Sequence, residues 1–148
     1  MERNQEAKGL RWSRRVAAAS GGMLVTALVL WAVLAITQVL VRAHPPSGSG
    51  ALLVVWWVSY GSLIFSVCVG GFVTGRFAYD APATAGLIMS LSFFLFCLGF
   101  VGLGPGAPPS LSTPGGAVLT LVTMVAVGVL FSTLGAVAKV AKLAKGRG

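Results

Sequence analysis

Four long apolar stretches, separated by clusters of glycine, proline and polar residues, set the pattern of this chain. Residues 16–41 form a run of 26 without a charge. HPPSGSG at 44–50 divides it from a second run, about 51–75. RFAYDAP at 76–82 precedes a third, about 83–103, and GPGAPPSLSTPGG at 104–116 precedes a fourth, about 117–138. About 20 apolar residues cross a bilayer core of roughly 30 Å, so each run is expected to be a transmembrane helix. Helices satisfy their backbone groups internally, as lipid requires, and the runs lack the alternation of a β-barrel strand. The first run would be about 39 Å long as a helix, so it must tilt or emerge from the bilayer. A basic N-terminus and Val41-Arg42-Ala43 loosely imitate a cleaved signal peptide, but the apolar run far exceeds the usual 7 to 15 residues. The run is therefore read as a retained span.

Composition agrees: 56% of the 148 residues are hydrophobic and 9% are charged, against about 25% charged in a soluble domain. The charges are also unevenly placed. Arg3, Lys8, Arg11, Arg14 and Arg15 precede the first run, Arg76 lies in the middle loop, and Lys139, Lys142, Lys145 and Arg147 follow the last. With four spans all of these fall on one side, opposite Arg42 alone, and Lys and Arg in short flanking segments mark the cytoplasmic side. The expectation is an all-α membrane protein with four transmembrane helices arranged as two antiparallel hairpins. A basic cytoplasmic segment (1–15) leads into the bundle (16–138), and a basic tail (139–148) follows it. Both termini and the 76–82 loop face the cytoplasm, and loops 42–50 and 104–116 face out. Trp12 is expected near the inner interface and Trp56 and Trp57 near the outer one. The net charge of +8 then reports topology and attraction to anionic lipid headgroups at the tails, worth about 1 kcal/mol per residue near the surface. It is not a nucleic-acid signal.

Candidate chemistry is sparse. The acids are Glu2, Glu6 and Asp80, and none falls at mid-membrane, where a proton-coupled transporter needs an ionisable group. Small multidrug transporters share this size and span number but depend on a glutamate in the first span; here that span offers Gln38 and small hydroxyls. His44, the single histidine, cannot by itself build a haem or zinc site. Cys68 and Cys97 should differ in depth by about 10 Å or more, too far for a disulfide, and are read as small apolar residues. The chain is thus expected to be no enzyme and to hold no cofactor or metal.

What the runs do carry is a four-residue rhythm of small residues. Ser62, Ser66, Gly70 and Thr74 recur in the second, with Gly71 and Gly75 beside them as a GxxxG pair. Gly86 and Ser90 share the spacing in the third. Gly116, Thr120, Gly128, Ser132 and Ala136 keep one register in the fourth, with Met124 filling its gap. Such stripes let helix backbones approach closely in lipid. The competing reading is a conduction path lined by Ser, Thr and Gly. PPS at 45–47 and again at 108–110 is a faint internal echo.

The middle loop reads as a tight hairpin. Gly75 is expected to close the second helix, with Arg76 at its C-terminal end, where the helix dipole favours a cation. Asp80, ahead of Ala81 and Pro82, is expected to cap the third helix, and Arg76 and Asp80 are close enough in sequence to pair across the turn.

VGGFVTGRFAYDAPATAGLIMSLSFF resembles the centre of an uncharacterised family of small four-span membrane proteins of Gram-positive bacteria. The family pattern is an apolar helix ending in Gly-Gly-x-x-x-Gly, a short polar loop, and a helix opening with Gly; the matching positions are Gly70, Gly71, Gly75 and Gly86. The residue-level match covers about 69–96, and the closing LGAVAKVAKLAKGRG departs from the family's glycine-rich last helix. Members are often encoded near YajC, an accessory subunit of the protein export channel. The resemblance implies a multi-pass protein of the bacterial cell membrane and no known activity; the link to export follows from gene neighbourhood and not from the residues. The functional expectation is a non-enzymatic accessory or structural subunit acting through helix contacts with other membrane subunits or with itself. The alternative is a small oligomeric channel or transporter.

Overall fold

The computed structural model describes residues 2–43, 50–99 and 113–146, and the described residues form helices without a strand. Helix α1 spans Glu2–Ala43, α2 Ala51–Phe77, α3 Pro82–Cys97 and α4 Pro114–Lys145. The helices do not stop where hydropathy stops. The basic segment before residue 16 is the start of α1, because Lys, Arg, Glu, Gln and Ala are good helix formers. For the same reason α4 continues through Lys139, Lys142 and Lys145. Its start is set by chemistry instead: Pro114 opens the helix and the Thr113 hydroxyl accepts the Gly116 N–H at 3.2 Å, a side-chain N-cap.

Among the described residues, three segments are long and apolar enough to cross a membrane: Gly9–Ala43, Trp57–Phe77 and Pro114–Lys145. Helix α3 is apolar but has 16 residues, about 24 Å, before Leu98 and Gly99 continue in a wider turn. Residues 100–103 of the expected third span lie outside the described residues, as do His44 and most of the two loops read as facing out.

Helices α2 and α3 touch each other, and each packs against both α1 and α4. Among the described residues α1 and α4 do not pack on one another. The cross-section is a diamond with α2 and α3 across its short diagonal. The core lies along α3, where Met89, Phe93, Phe94 and Cys97 are buried with Val67 of α2 and Met124 of α4. A second small cluster joins Ala18 of α1 to Ala78 and Ala85 around the α2–α3 turn. Leu24, Leu28 and Trp31 of α1 and Leu119, Val122 and Leu130 of α4 are exposed on the outer surface, an apolar rind of the kind lipid accepts.

Candidate functional site

Two regions gather the residues that the sequence singles out: a seam of glycines and hydroxyls inside the helix group, and a basic end around the 76–82 loop.

In the seam, Gly128 is the meeting point of three helices. A Cβ on Gly71 of α2 would lie 2.9 Å from the Gly128 carbonyl oxygen, and one on Gly86 of α3 would lie 2.8 Å from the same oxygen. A Cβ on Gly128 itself would run into the Ser90 hydroxyl. One turn along, Gly75 sits against the Ser132 backbone, and Gly135 against the Phe72 backbone. Gly71, Gly75, Gly86 and Gly135 admit no side chain, because the nearest opposing atoms are backbone and cannot swing aside. Glycine alone does not mark the seam: Gly9, Gly21 and Gly61 have open space around them.

The seam continues to α1 through a contact that the small-residue stripes did not include. A Cβ on Gly22 would meet the Thr74 hydroxyl, and one on Gly70 would meet the Thr26 hydroxyl. The pairing is reciprocal, because both helices carry the same Gly-x-x-Val-Thr string, GMLVT at 22–26 and GGFVT at 70–74. Each threonine donates to its own glycine's carbonyl at 2.8 Å, and its Oγ1 and Cβ are the atoms that face the glycine of the neighbouring helix. That repeat was the available signal for Gly22 and Thr26.

The buried hydroxyls are mostly turned onto their own helix. Ser62 donates to Val58 O at 2.6 Å and Ser66 to Ser62 O at 2.7 Å, the back-bonding open to Ser and Thr in helices. Ser132 instead crosses to α3 and donates to Pro82 O at 2.7 Å. Thr120 and Met124 are buried on the same face of α4. Ser90 is fully buried and its Oγ has no hydrogen-bond partner among the described residues.

The basic end departs from the sequence expectation in three respects. Helix α2 does not close at Gly75 but runs to Phe77, where the Ala78 N–H bonds to Thr74 O at 2.9 Å. Asp80 does not cap α3: the N-cap position is Ala81, without a side-chain bond. Nor does Asp80 pair with Arg76. Its carboxylate accepts Arg15 of α1, at 3.3 Å from Nη2 and 3.4 Å from Nε. Starting α3 one residue later leaves Asp80 outside capping reach, and α1 brings Arg15 to it. Arg76 lies 6.0 Å from the ring of Phe72, one turn back on its own helix. Tyr79, which the sequence reading passed over, is held between two cations, with Arg14 of α1 at 5.1 Å and Lys139 of α4 at 4.7 Å from its ring. The loop thus ties α1 to α4, which otherwise stay apart.

An open groove of about 630 Å³ lies beside this end, lined by Val73, Arg76, Phe77, Lys139, Lys142, Leu143 and Gly146. Cys68 is half-buried, Cys97 is buried, and both are free thiols. No group of three or more His, Cys, Asp or Glu side chains comes together among the described residues. No protein-family model, no curated protein and no solved structure matches the chain.

Proposed function

We propose that the chain is a non-enzymatic scaffold or accessory subunit of a bacterial cell membrane, built as four transmembrane helices in two antiparallel hairpins with both termini in the cytoplasm. The observation that carries this reading is the fate of the small-residue stripes. Gly71, Gly75, Gly86 and Gly128 stand against neighbouring backbone or side chains, and Thr26, Ser62, Ser66 and Thr74 bond to carbonyls of their own helix. Groups that would line a path are taken up in packing, which speaks against conduction through one copy. The crossed pairing of Gly22 with Thr74 and Gly70 with Thr26 supports opposite directions for α1 and α2. The contacts of Arg15 with Asp80 and of Lys139 with Tyr79 support one common end for both termini and the middle loop. The positive charge gathered there supports a cytoplasmic placement of that end, with the tails against anionic lipid headgroups.

The test is purification of the tagged protein from native membranes in mild detergent, with mass measurement of the particle and identification of its components. A discrete complex with another membrane protein, the export channel included, or with further copies of the chain is the expected result. Recovery as a monomer alone overturns the reading. Solute flux into vesicles carrying the pure protein, above that of empty vesicles, would replace it with the channel.

A further inference from the structure

The groove at the basic end has two chemically different walls. Val73, Phe77 and Leu143 give it an apolar surface, and Arg76, Lys139 and Lys142 give it three cations. Among the described residues no carboxylate lines the groove, and Asp80, the one acidic residue whose side chain is described, is engaged by Arg15. Lys139 also touches the Tyr79 ring, but an ammonium has three donors and a ring face occupies only part of them. The groove lies between the end of α2, whose last turn carries Arg76, and the end of α4, where the sequence turns from apolar to lysine-bearing. Helix α4 has 32 residues, about 48 Å, so it exceeds a bilayer core of roughly 30 Å. Its lysine-bearing end is the part that projects beyond that core.

We propose that this groove binds a single anionic phospholipid, its phosphate held by Arg76, Lys139 and Lys142 and the start of an acyl chain laid on Val73, Phe77 and Leu143. Charge complementarity sets the sign of the ligand, and the apolar wall selects a lipid over a free anion. Arg76 supplies a planar fork suited to a phosphate, and the two lysines supply mobile point charges. The inference rests on the reading that this end lies at a membrane face, and it makes the groove a bound-lipid site rather than part of a diffuse basic surface.

The test measures occupancy of phosphatidylglycerol, with phosphatidylcholine as reference, on the full chain in detergent by native mass spectrometry. The wild type should retain one phosphatidylglycerol in preference to phosphatidylcholine. Replacing Arg76 and Lys142 together by glutamine should weaken that binding roughly 25-fold, on the order of a factor of five for each charge. Replacing Arg11 and Lys145, two cations of the same end that do not line the groove, should change it less than twofold. Equal losses from the two pairs would mean diffuse attraction and overturn the site. Arg76→Lys combined with Lys142→Arg should restore binding. Leu143 is exposed near the end of α4, so Leu143→Glu keeps the fold while placing a negative charge in the groove, and it should release the lipid as Leu143→Gln does not. If inorganic phosphate displaces the lipid at equal concentration, the groove is a plain anion site and the lipid assignment fails. Topology is read separately, by labelling the Lys145→Cys variant in intact cells with a membrane-impermeant maleimide, against the wild type as the background for Cys68 and Cys97. Labelling from outside overturns the cytoplasmic placement without touching the lipid measurement.

Discussion

Gly71 and Arg76 stand five residues apart on α2, and they live in different worlds. Gly71 is buried against the Gly128 backbone, with no room for even one carbon. Arg76 is exposed, with an aromatic neighbour from its own helix and an open groove beside it. The first region is governed by shape, which in a lipid-facing protein replaces much of the hydrophobic drive between helices. The second is governed by charge, which water and salt screen. A substitution in the seam should therefore be felt as lost stability, and one at the basic end as altered contacts outside the chain.

The sharpest way to break that contrast is Gly75→Leu. Its side chain would have to displace the Ser132 backbone, and overpacking a site that cannot relax costs about 3 kcal/mol or more. We expect no recoverable folded protein in a detergent thermal melt. Gly71→Leu should follow closely, while Gly21→Leu, where nothing lies within 4 Å, should melt as wild type. If Gly21→Leu is equally damaging, close approach does not explain the seam, because leucine is the better helix former and propensity alone would favour it. Next comes Ser132→Ala, which removes the one hydroxyl bond from α4 to Pro82. A loss of about 1 kcal/mol is expected in denaturant unfolding. Asp80→Asn breaks a partly exposed ion pair with Arg15 and should cost under about 1 kcal/mol, a difference that fades in high salt. Smallest of all, Arg76→Ala should leave the melting temperature unchanged. A larger effect from Arg76→Ala than from Gly71→Leu would reverse the comparison.

The seam was more legible in the sequence than the basic end, for a physical reason. Helix packing repeats every four residues or so, and Ser62, Ser66, Gly70 and Thr74 write that period into consecutive positions of one helix. The α1 half was harder to read, because Gly22 and Thr26 form a single pair that stands out only beside Gly70 and Thr74. Helix ends were less legible than helix centres. Hydropathy marks where lipid ends, whereas α1 and α4 go on through charged residues that favour helix equally well. The partner of Asp80 could not be read at all. Many cations share that end, sequence proximity favoured Arg76, and only the packing of α1 beside the loop selects Arg15. Tyr79 was invisible for the same reason: its two cations come from 65 residues before it and 60 residues after it.

The separation of α1 from α4 bears on how the chain is made. Synthesis delivers helices in order, and α1 finds its packing partners in the two helices that follow it. Its seat can be complete while α4 is still on the ribosome. Helix α4 then arrives at a surface already formed by α2 and α3, with Gly71 and Gly86 waiting for Gly128. Lys139 of α4 then reaches the Tyr79 ring, which Arg14 of α1 already approaches, so the ring gains its second cation only when α4 arrives.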